Sequence, residues 1–237
     1  VSLVEVSAGT YNVTVTASID SQTILATGTP GSVILAPAAG TPALFIGGVN
    51  VTIDGFVMNA EPTGTYAWNL GVSGNNSTIK NVTFNNGVYQ MLVSVGASGP
   101  RTTVTNCIFN ATGNVTYGLY AMTAVRPTGC TFNVDDGGTG IYGTALTVTT
   151  SNFNGTVGTG AGVSTYGGTT AITGSKFNNL GNNALSVSGG TATVRSCTFN
   201  GSGSVNTTST TDGVITNSAG NLVLVDNTIS NSAAANY

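Results

Sequence analysis

A short motif that recurs along the chain constrains the fold more than any other feature of the sequence. Each copy closes with a large apolar residue followed by a small polar one, as in Phe109-Asn110. The large apolar residues are Met58, Phe84, Phe109, Phe132, Phe153, Phe177, Phe199 and Ile229, and the residues that follow them are Asn59, Asn85, Asn110, Asn133, Asn154, Asn178, Asn200 and Ser230. Successive copies are 26, 25, 23, 21, 24, 22 and 30 residues apart. A repeat of this length predicts a solenoid, in which each unit buries its apolar side by stacking on its neighbours.

Each repeat contains three short segments that read as strands, separated by turns rich in Gly, Ser and Pro. Two of the segments flank a bend inside the motif, and the third follows the asparagine, as in residues 118–122 and 140–143. No stretch has the 3.6-residue apolar spacing of an amphipathic helix. Three strands in a unit of about 23 residues predict an all-β fold, a three-sided parallel β-helix of about ten coils.

The repeat runs without interruption, which predicts that residues 1–237 form a single β-helix domain. Residues 1–50 lack the closing motif and are expected to form irregular N-terminal coils. Residues 51–231 are expected to form the regular coils, and residues 232–237 a short tail.

Two segments near the start resemble a known family. Residues 5–11, Glu-Val-Ser-Ala-Gly-Thr-Tyr, and residues 51–56, Val-Thr-Ile-Asp-Gly-Phe, look like the opening of repeat proteins of the pectin-lyase-like superfamily. The resemblance covers nearly the whole chain and implies a right-handed parallel β-helix. That superfamily includes pectin and pectate lyases, polygalacturonases, phage tailspikes, adhesins and microbial surface proteins, so the resemblance implies a fold and leaves the function open.

Stacking of the coils turns each position of the motif into a column along the β-helix. The large apolar residues are predicted to form a buried stack that is mostly aromatic. The asparagines after them are predicted to form a ladder, because asparagine tolerates the conformation of a tight bend and its amide can bond the amides above and below.

All three cysteines fall in one further column, two residues before the buried stack. Strand alternation places Cys107, Cys130 and Cys197 on the same inner face, which predicts buried, inert thiols. Cys107 and Cys130 lie on adjacent coils, about 4.8 Å apart, which is near the disulfide range, although parallel Cβ vectors suit that bond poorly. The sequence leaves this disulfide open. Three cysteines without histidine make a zinc site improbable.

Composition excludes several classes of function. Charged residues are 5% of the chain, the net charge is −3, and the five basic residues cannot form a patch for nucleic acid. No run of about 18 apolar residues is present to span a membrane. The scarcity of charge, together with abundant Thr, Asn and Gly, favours an extracellular or cell-surface protein.

The residues that carry catalysis are sparse. The acidic residues are scattered, and the one adjacent pair, Asp135 and Asp136, reads as a turn and supplies the only candidate metal ligands. Histidine is absent, so a Ser-His-Asp triad is excluded. The sequence therefore predicts no catalytic residue, no cofactor and no enzymatic activity.

The leading functional hypothesis is a self-assembling structural subunit of a microbial surface layer, sheath or fibre, whose partner is a second copy of the chain. Residues 222–229 are more apolar than the coils before them, and residues 230–237 are too short and too uncharged for a cap, so a strand edge is expected to be free to pair. The alternative is a glycan-binding adhesin or spike, with stacking surfaces supplied by Trp68, Tyr66, Tyr89, Tyr117, Tyr120, Tyr142 and Tyr166. Further alternatives are ice binding through Thr-x-Thr segments such as residues 103–105 and 147–149, or a polysaccharide lyase or hydrolase.

Overall fold

The computed structural model describes residues 2–59, 68–85, 87–94, 102–111, 116–135, 137–155, 160–201 and 214–230. Across these residues the chain forms strands, turns and bends, without a helix. In particular, this part of the chain contains no helix that is long and apolar enough to cross a membrane.

The strands form three parallel sheets, and each strand pairs with the strands one coil before and one coil after it. Sheet A contains β1 (Ser2–Val6), β4 (Gln22–Ala26), β7 (Thr52–Asp54), β10 (Thr78–Lys80), β13 (Thr102–Thr105), β16 (Val125–Thr128), β19 (Thr147–Thr149), β22 (Thr169–Thr173), β25 (Thr191–Arg195) and β28 (Asn221–Val225). Sheet B contains β2 (Gly9–Tyr11), β5 (Val33–Leu35), β8 (Val57–Asn59), β11 (Thr83–Asn85), β14 (Ile108–Ala111), β17 (Thr131–Val134), β20 (Asn152–Gly155), β23 (Lys176–Asn178), β26 (Thr198–Asn200) and β29 (Thr228–Ser230). Sheet C contains β3 (Val15–Ala17), β6 (Leu44–Ile46), β9 (Trp68–Val72), β12 (Tyr89–Val93), β15 (Tyr117–Ala121), β18 (Thr139–Gly143), β21 (Ala161–Thr165), β24 (Leu185–Val187) and β27 (Ile215–Asn217).

A tight bend joins each strand of sheet A to the next strand of sheet B, and it depends on one residue with positive φ. From the third coil onward this residue is Gly55, Asn81, Asn106, Gly129, Thr150, Gly174, Ser196 and Asp226, with φ between 46° and 87°. Gly, Asn and Asp tolerate this left-handed conformation, whereas a β-branched residue such as Thr150 does so at a cost. The bend turns the chain by the same amount in every coil and so keeps the sheets in register.

The predicted inner aromatic stack is confirmed. Successive rings from Phe84 to Phe199 lie with their centroids 4.6–4.8 Å apart and their planes within 11° of parallel. Met58 and all of these phenylalanines are fully buried. The prediction was wrong for Ile229, which is 53% exposed. It pairs in register with Phe199, but β29 is the edge strand of sheet B, so no coil of the described chain covers it.

The asparagine ladder is also present. The side-chain amides of Asn85, Asn110, Asn133, Asn154 and Asn178 each donate to the side-chain oxygen of the ladder asparagine one coil earlier, at 2.6–3.1 Å. At its end, the hydroxyl of Ser230 lies 3.5 Å from the Oδ1 atom of Asn200. Each amide thereby supplies a hydrogen bond to the asparagine of the preceding coil and stabilises the turn that leaves sheet B.

The first fifty residues are more regular than the sequence indicated. Strands β1, β2 and β3 form one coil and β4, β5 and β6 the next, and they join the same three sheets in register. The closing Phe-Asn motif is therefore not required for a coil. The division into one domain with three segments stays a prediction.

Candidate functional site: a row of aromatic rings on sheet C

A continuous row of tyrosine rings lies on the outer face of sheet C. The rings of Tyr89 and Tyr117 are 5.6 Å apart, those of Tyr117 and Tyr142 4.9 Å, and those of Tyr142 and Tyr166 5.0 Å. Tyr120 fills the middle of the row, 5.4 Å from Tyr117 and 5.5 Å from Tyr142. All five side chains are half-buried or exposed. We call these five residues the tyrosine row.

The backbone of β15 explains how one coil contributes two rings. Between Tyr117 and Tyr120, both Gly118 and Leu119 face the interior. Leu119 is fully buried, and a Cβ atom at Gly118 would lie 3.3 Å from the ring of Phe132. The extra inward residue interrupts strict alternation, so both tyrosines point outward. Parallel pairing then places Tyr117 beside Tyr89 and Tyr120 beside Tyr142.

Two further aromatic residues extend the row toward the N-terminal coils. Trp68 pairs with Tyr89, and Phe45 pairs with Gly71. A Cβ atom at Gly71 would lie 3.0 Å from both the Phe45 ring and the Trp68 indole nitrogen, so glycine leaves room for these side chains. From β6 to β21 the aromatic side chains span six strands, about 24 Å at the usual spacing of neighbouring strands. The sequence named Trp68 and the tyrosines but missed Phe45, and Tyr66 lies outside the described residues.

The electrostatic character of the row is neutral. None of the nine strands of sheet C contains an acidic or basic residue in the described part of the chain. Burial, followed by the neighbouring phenols of Tyr142, Tyr89 and Tyr120, raises the pKa of Tyr117. Burial likewise raises the pKa of Tyr166, whose hydroxyl donates to the Ala121 carbonyl at 3.4 Å. The phenols of Tyr117 and Tyr166 therefore stay uncharged across the physiological pH range.

The three thiols lie inside the β-helix, away from this face. Cys107, Cys130 and Cys197 are buried and free. The Cys197 thiol donates to the Arg195 carbonyl at 3.2 Å, and the Cys107 thiol to the Thr105 carbonyl at 3.4 Å. Burial raises the pKa of Cys107 and of Cys197. These side chains satisfy backbone carbonyls at the bend between sheets A and B.

Of the acidic pair, the structure describes Asp135 alone. Asp135 is half-buried, and its carbonyl accepts from the Gly138 amide at 3.0 Å, as expected of a turn. Asp136 lies outside the described residues. No group of three or more His, Cys, Asp or Glu that could hold a metal ion occurs where the structure is described. Asp54 and Lys80, on neighbouring strands of sheet A, form an ion pair at 3.1 Å.

The outer face of sheet A carries threonines, as the Thr-x-Thr pattern indicated. Pairing places Thr52, Thr78 and Thr103 in one column, and Arg126 pairs with Thr103 in the next coil. Further along this column Ala171 separates Thr147 from Thr193. The two interruptions break the array into short runs, and ice binding stays an untested alternative.

Comparison with known proteins supports the fold and does not assign a function. No protein-family profile matches the chain, and no curated protein matches its sequence. Among solved structures, a rice weevil pectin methyl esterase superposes with a TM-score of 0.56 at 12% identity, covering 96% of this chain and 81% of its own. A Dettilon tailspike protein gives 0.46 at 13% identity over 84% of this chain and 47% of its own. The catalytic unit of a GH87 α-1,3-glucanase from Streptomyces thermodiastaticus gives 0.43 at 13% identity over 99% of this chain and 63% of its own. The predicted three-sided parallel β-helix is confirmed.

The same comparison corrects the prediction that the chain is not an enzyme. The esterase is an enzyme, and its fold matches this one over nearly the whole chain. The parallel β-helix is therefore an architecture on which catalysis occurs, and the scarcity of acidic and basic side chains no longer excludes activity here.

Proposed function

We propose that this protein is an extracellular β-helix that binds a neutral polysaccharide along the tyrosine row. The observation that carries the proposal is the unbroken contact of five half-buried or exposed phenol rings on a sheet without charge. Contact of so many partly exposed aromatic rings with water is energetically unfavourable, and such clusters commonly mark a binding surface.

The chemistry of the row fits the faces of sugar rings. A pyranose presents C–H bonds on its faces, which pack against aromatic rings, and hydroxyls at its rim, which bond to phenol oxygens. The described strands of sheet C carry no cation that would bind an acidic glycan. Together with Phe45 and Trp68, the tyrosine row extends along the β-helix axis for about 24 Å, long enough for several sugar units of one chain.

Substitution of Tyr142 tests the proposal, because its ring contacts those of Tyr117, Tyr120 and Tyr166. Binding of a panel of neutral and acidic polysaccharides is measured by affinity electrophoresis and calorimetry. Tyr142→Ala is expected to weaken binding to a neutral polysaccharide by about fivefold, the equivalent of about 1 kcal/mol. The matched control is Thr128→Ala, an exposed residue of sheet A that leaves the row intact.

Two results would contradict this function. One is the absence of binding to any neutral polysaccharide, and the other is equal binding by the wild-type protein and Tyr142→Ala. The same incubations are assayed for released sugars, because turnover that is lost in Tyr142→Ala would assign a catalytic activity to this face.

A second candidate function is the self-assembling subunit of a surface layer, sheath or fibre. The observation that favours it is at the two ends of the β-helix, where large apolar side chains are exposed on the edge strands. Leu3 is 59% exposed on β1, and Val223 and Leu224 are 45% and 48% exposed on β28. Low surface charge removes the repulsion that otherwise keeps copies of a protein apart.

A further inference from the structure

The two edge strands of sheet A could each pair with a further strand. β1 and β28 lie at opposite edges, and each pairs with one strand in the described part of the chain. Both have five residues, Ser-Leu-Val-Glu-Val and Asn-Leu-Val-Leu-Val, without proline. An edge of this length leaves a row of backbone N–H and C=O groups that a further parallel strand would satisfy.

One outward column of sheet A differs at its two ends from its middle. Pairing in register places these residues in one line: Leu3, Thr23, Thr52, Thr78, Thr103, Arg126, Thr147, Ala171, Thr193 and Val223. Large apolar side chains occupy only the first and last of these positions. On a solvent-facing column of one isolated molecule this distribution has no advantage. It has one if Leu3 and Val223 become neighbours.

The inward columns also match from end to end. Val4 and Leu224 occupy the same inward column of sheet A, because β1, β4, β25 and β28 pair in register. In sheet B the corresponding ends are Tyr11 and Ile229. Val4 is 38% exposed and Ile229 53%, although equivalent residues of the inner coils are fully buried. Each end therefore presents apolar side chains where the other end has them.

The first described coil leaves part of the interior uncovered. A cavity of about 230 Å³ opens there, and it is lined chiefly by apolar side chains, including Val4, Tyr11, Val15 and Ile24. Gln22 also lines it, is 9% exposed, and has a side-chain oxygen without a hydrogen-bond partner. A buried acceptor of this kind is costly unless an arriving group supplies a donor.

We infer that copies of this chain stack head to tail, an inference that rests on the self-assembly function proposed above. Strands β28 and β29 of one copy pair with β1 and β2 of the next, which continues sheets A and B across the junction. Leu224 then packs over Val4, and Val223 lies beside Leu3 on the outer face. The contact joins two different surfaces, so it repeats without closing and produces a filament.

Charge substitutions at Leu3 and Val223 test the geometry, because both side chains are on the outer face and are not part of the core. Leu3→Lys combined with Val223→Lys places like charges opposite each other across the junction. Leu3→Glu combined with Val223→Lys places opposite charges there. The control is Thr78→Lys combined with Thr147→Lys, two substitutions in the same column at inner coils, and circular dichroism verifies that every variant is folded.

Sedimentation velocity and negative-stain microscopy measure assembly at tens of micromolar protein. The wild-type protein and the control are expected to form assemblies above the 23.5 kDa chain mass. The double-lysine variant is expected to raise the concentration needed for assembly by about tenfold or more, and the Glu/Lys pair to restore it.

Two outcomes would overturn the inference, and they are distinguishable. A wild-type protein that sediments at 23.5 kDa would remove the subunit function and the head-to-tail contact together, and would mean that something other than a second copy covers the ends. Assemblies that form equally well in the double-lysine variant would remove the head-to-tail contact and leave the subunit function standing through other faces.

Discussion

Tyr120 and Tyr142 stack face to face on the outside of the β-helix, with ring centroids 5.5 Å apart and 11° between their planes. Inside the same coils, Phe109 and Phe132 stack at 4.6 Å and 5°. The parallel register produces both rows, because it places equivalent residues of successive coils directly above one another. The inner row holds the coils together, whereas the outer row is available to a ligand.

The inner stack is expected to carry a large share of stability. Phe153 is fully buried between Phe132 and Phe177, with centroids at 4.8 and 4.6 Å. Phe153→Ala is expected to lower the free energy of unfolding by about 3–5 kcal/mol, measured by chemical denaturation. Ile108→Ala is the control, because Ile108 is 40% exposed on the outer face of sheet B. Equal losses in the two variants would contradict the assignment of the core.

The hydrogen bonds of the asparagine ladder are expected to contribute to the free energy of unfolding. Asn133 donates to Asn110 at 2.8 Å and accepts from Asn154 at 3.1 Å. Asn133→Ala leaves both partners unsatisfied and is expected to cost about 1–3 kcal/mol in unfolding free energy. Asn152→Ala, on the outer face of the same sheet, is the control and should change stability little. A neutral Asn133→Ala would show that the ladder bonds are not stabilising.

Thr150 is expected to hold the chain in a strained conformation. Its φ is 46°, whereas three equivalent bends have glycine at this position, namely Gly55, Gly129 and Gly174. Thr150→Gly removes the steric conflict of the Cβ atom and is expected to raise the unfolding free energy by about 1 kcal/mol. Thr149→Gly, one residue earlier within β19, should lower it by about 0.5–1 kcal/mol. Comparison of the unfolding free energies of the two variants separates the relief of strain at Thr150 from the general destabilisation that glycine causes in a strand.

The thiols are expected to be unreactive in the folded protein. Cys107 and Cys130 are 0% exposed and Cys197 is 1% exposed. Burial raises the pKa of Cys107 and Cys197, whereas the hydrogen bond with Cys107 lowers the pKa of Cys130, so the prediction rests on the burial of all three side chains. A thiol reagent should label all three at the rate of unfolding under native conditions and at once in denaturant. The raised pKa of Cys107 and Cys197 contributes stability that is lost as the pH rises past the thiol pKa of the unfolded chain, because the unfolded state then loses protons that these two folded thiols retain. The lowered pKa of Cys130 opposes this loss. Fast native labelling would refute the burial of this column.

Sequence spacing was sufficient to predict the columns because one motif position recurs once per coil. Phe153 and Asn133 were placed correctly on that basis alone. The motif did not show how the first fifty residues pair, because β-helix register depends on strand pairing, and strands such as Gln22–Ala26 pair without the Phe-Asn motif. Ile229 was misplaced for a different reason, since burial of the last repeat depends on what stacks on it, which the repeat itself does not encode.

The outward position of the tyrosine row was only partly predictable. The sequence named the tyrosines but did not determine whether they point outward, because β15 has an extra inward residue between Tyr117 and Tyr120. It also treated the cysteine column as inert core, although Ser151 and Ser175 at equivalent positions donate to Thr149 and Thr173 at 3.1 and 3.2 Å. Cys and Ser share a short side chain with a hydrogen-bond donor. Their alternation in this column was the feature of the sequence from which the bonds to backbone carbonyls could have been predicted.

The direction of the asparagine bonds has a consequence for the molecule as a whole. From Asn85 to Asn178, every ladder amide donates toward the preceding coil, so the side-chain dipoles point the same way along the axis and add. The β-helix is therefore a polar rod whose two ends differ in electrostatic sign at this edge. In the head-to-tail filament proposed above, every copy would point the same way, so the two ends of the filament would be chemically distinct.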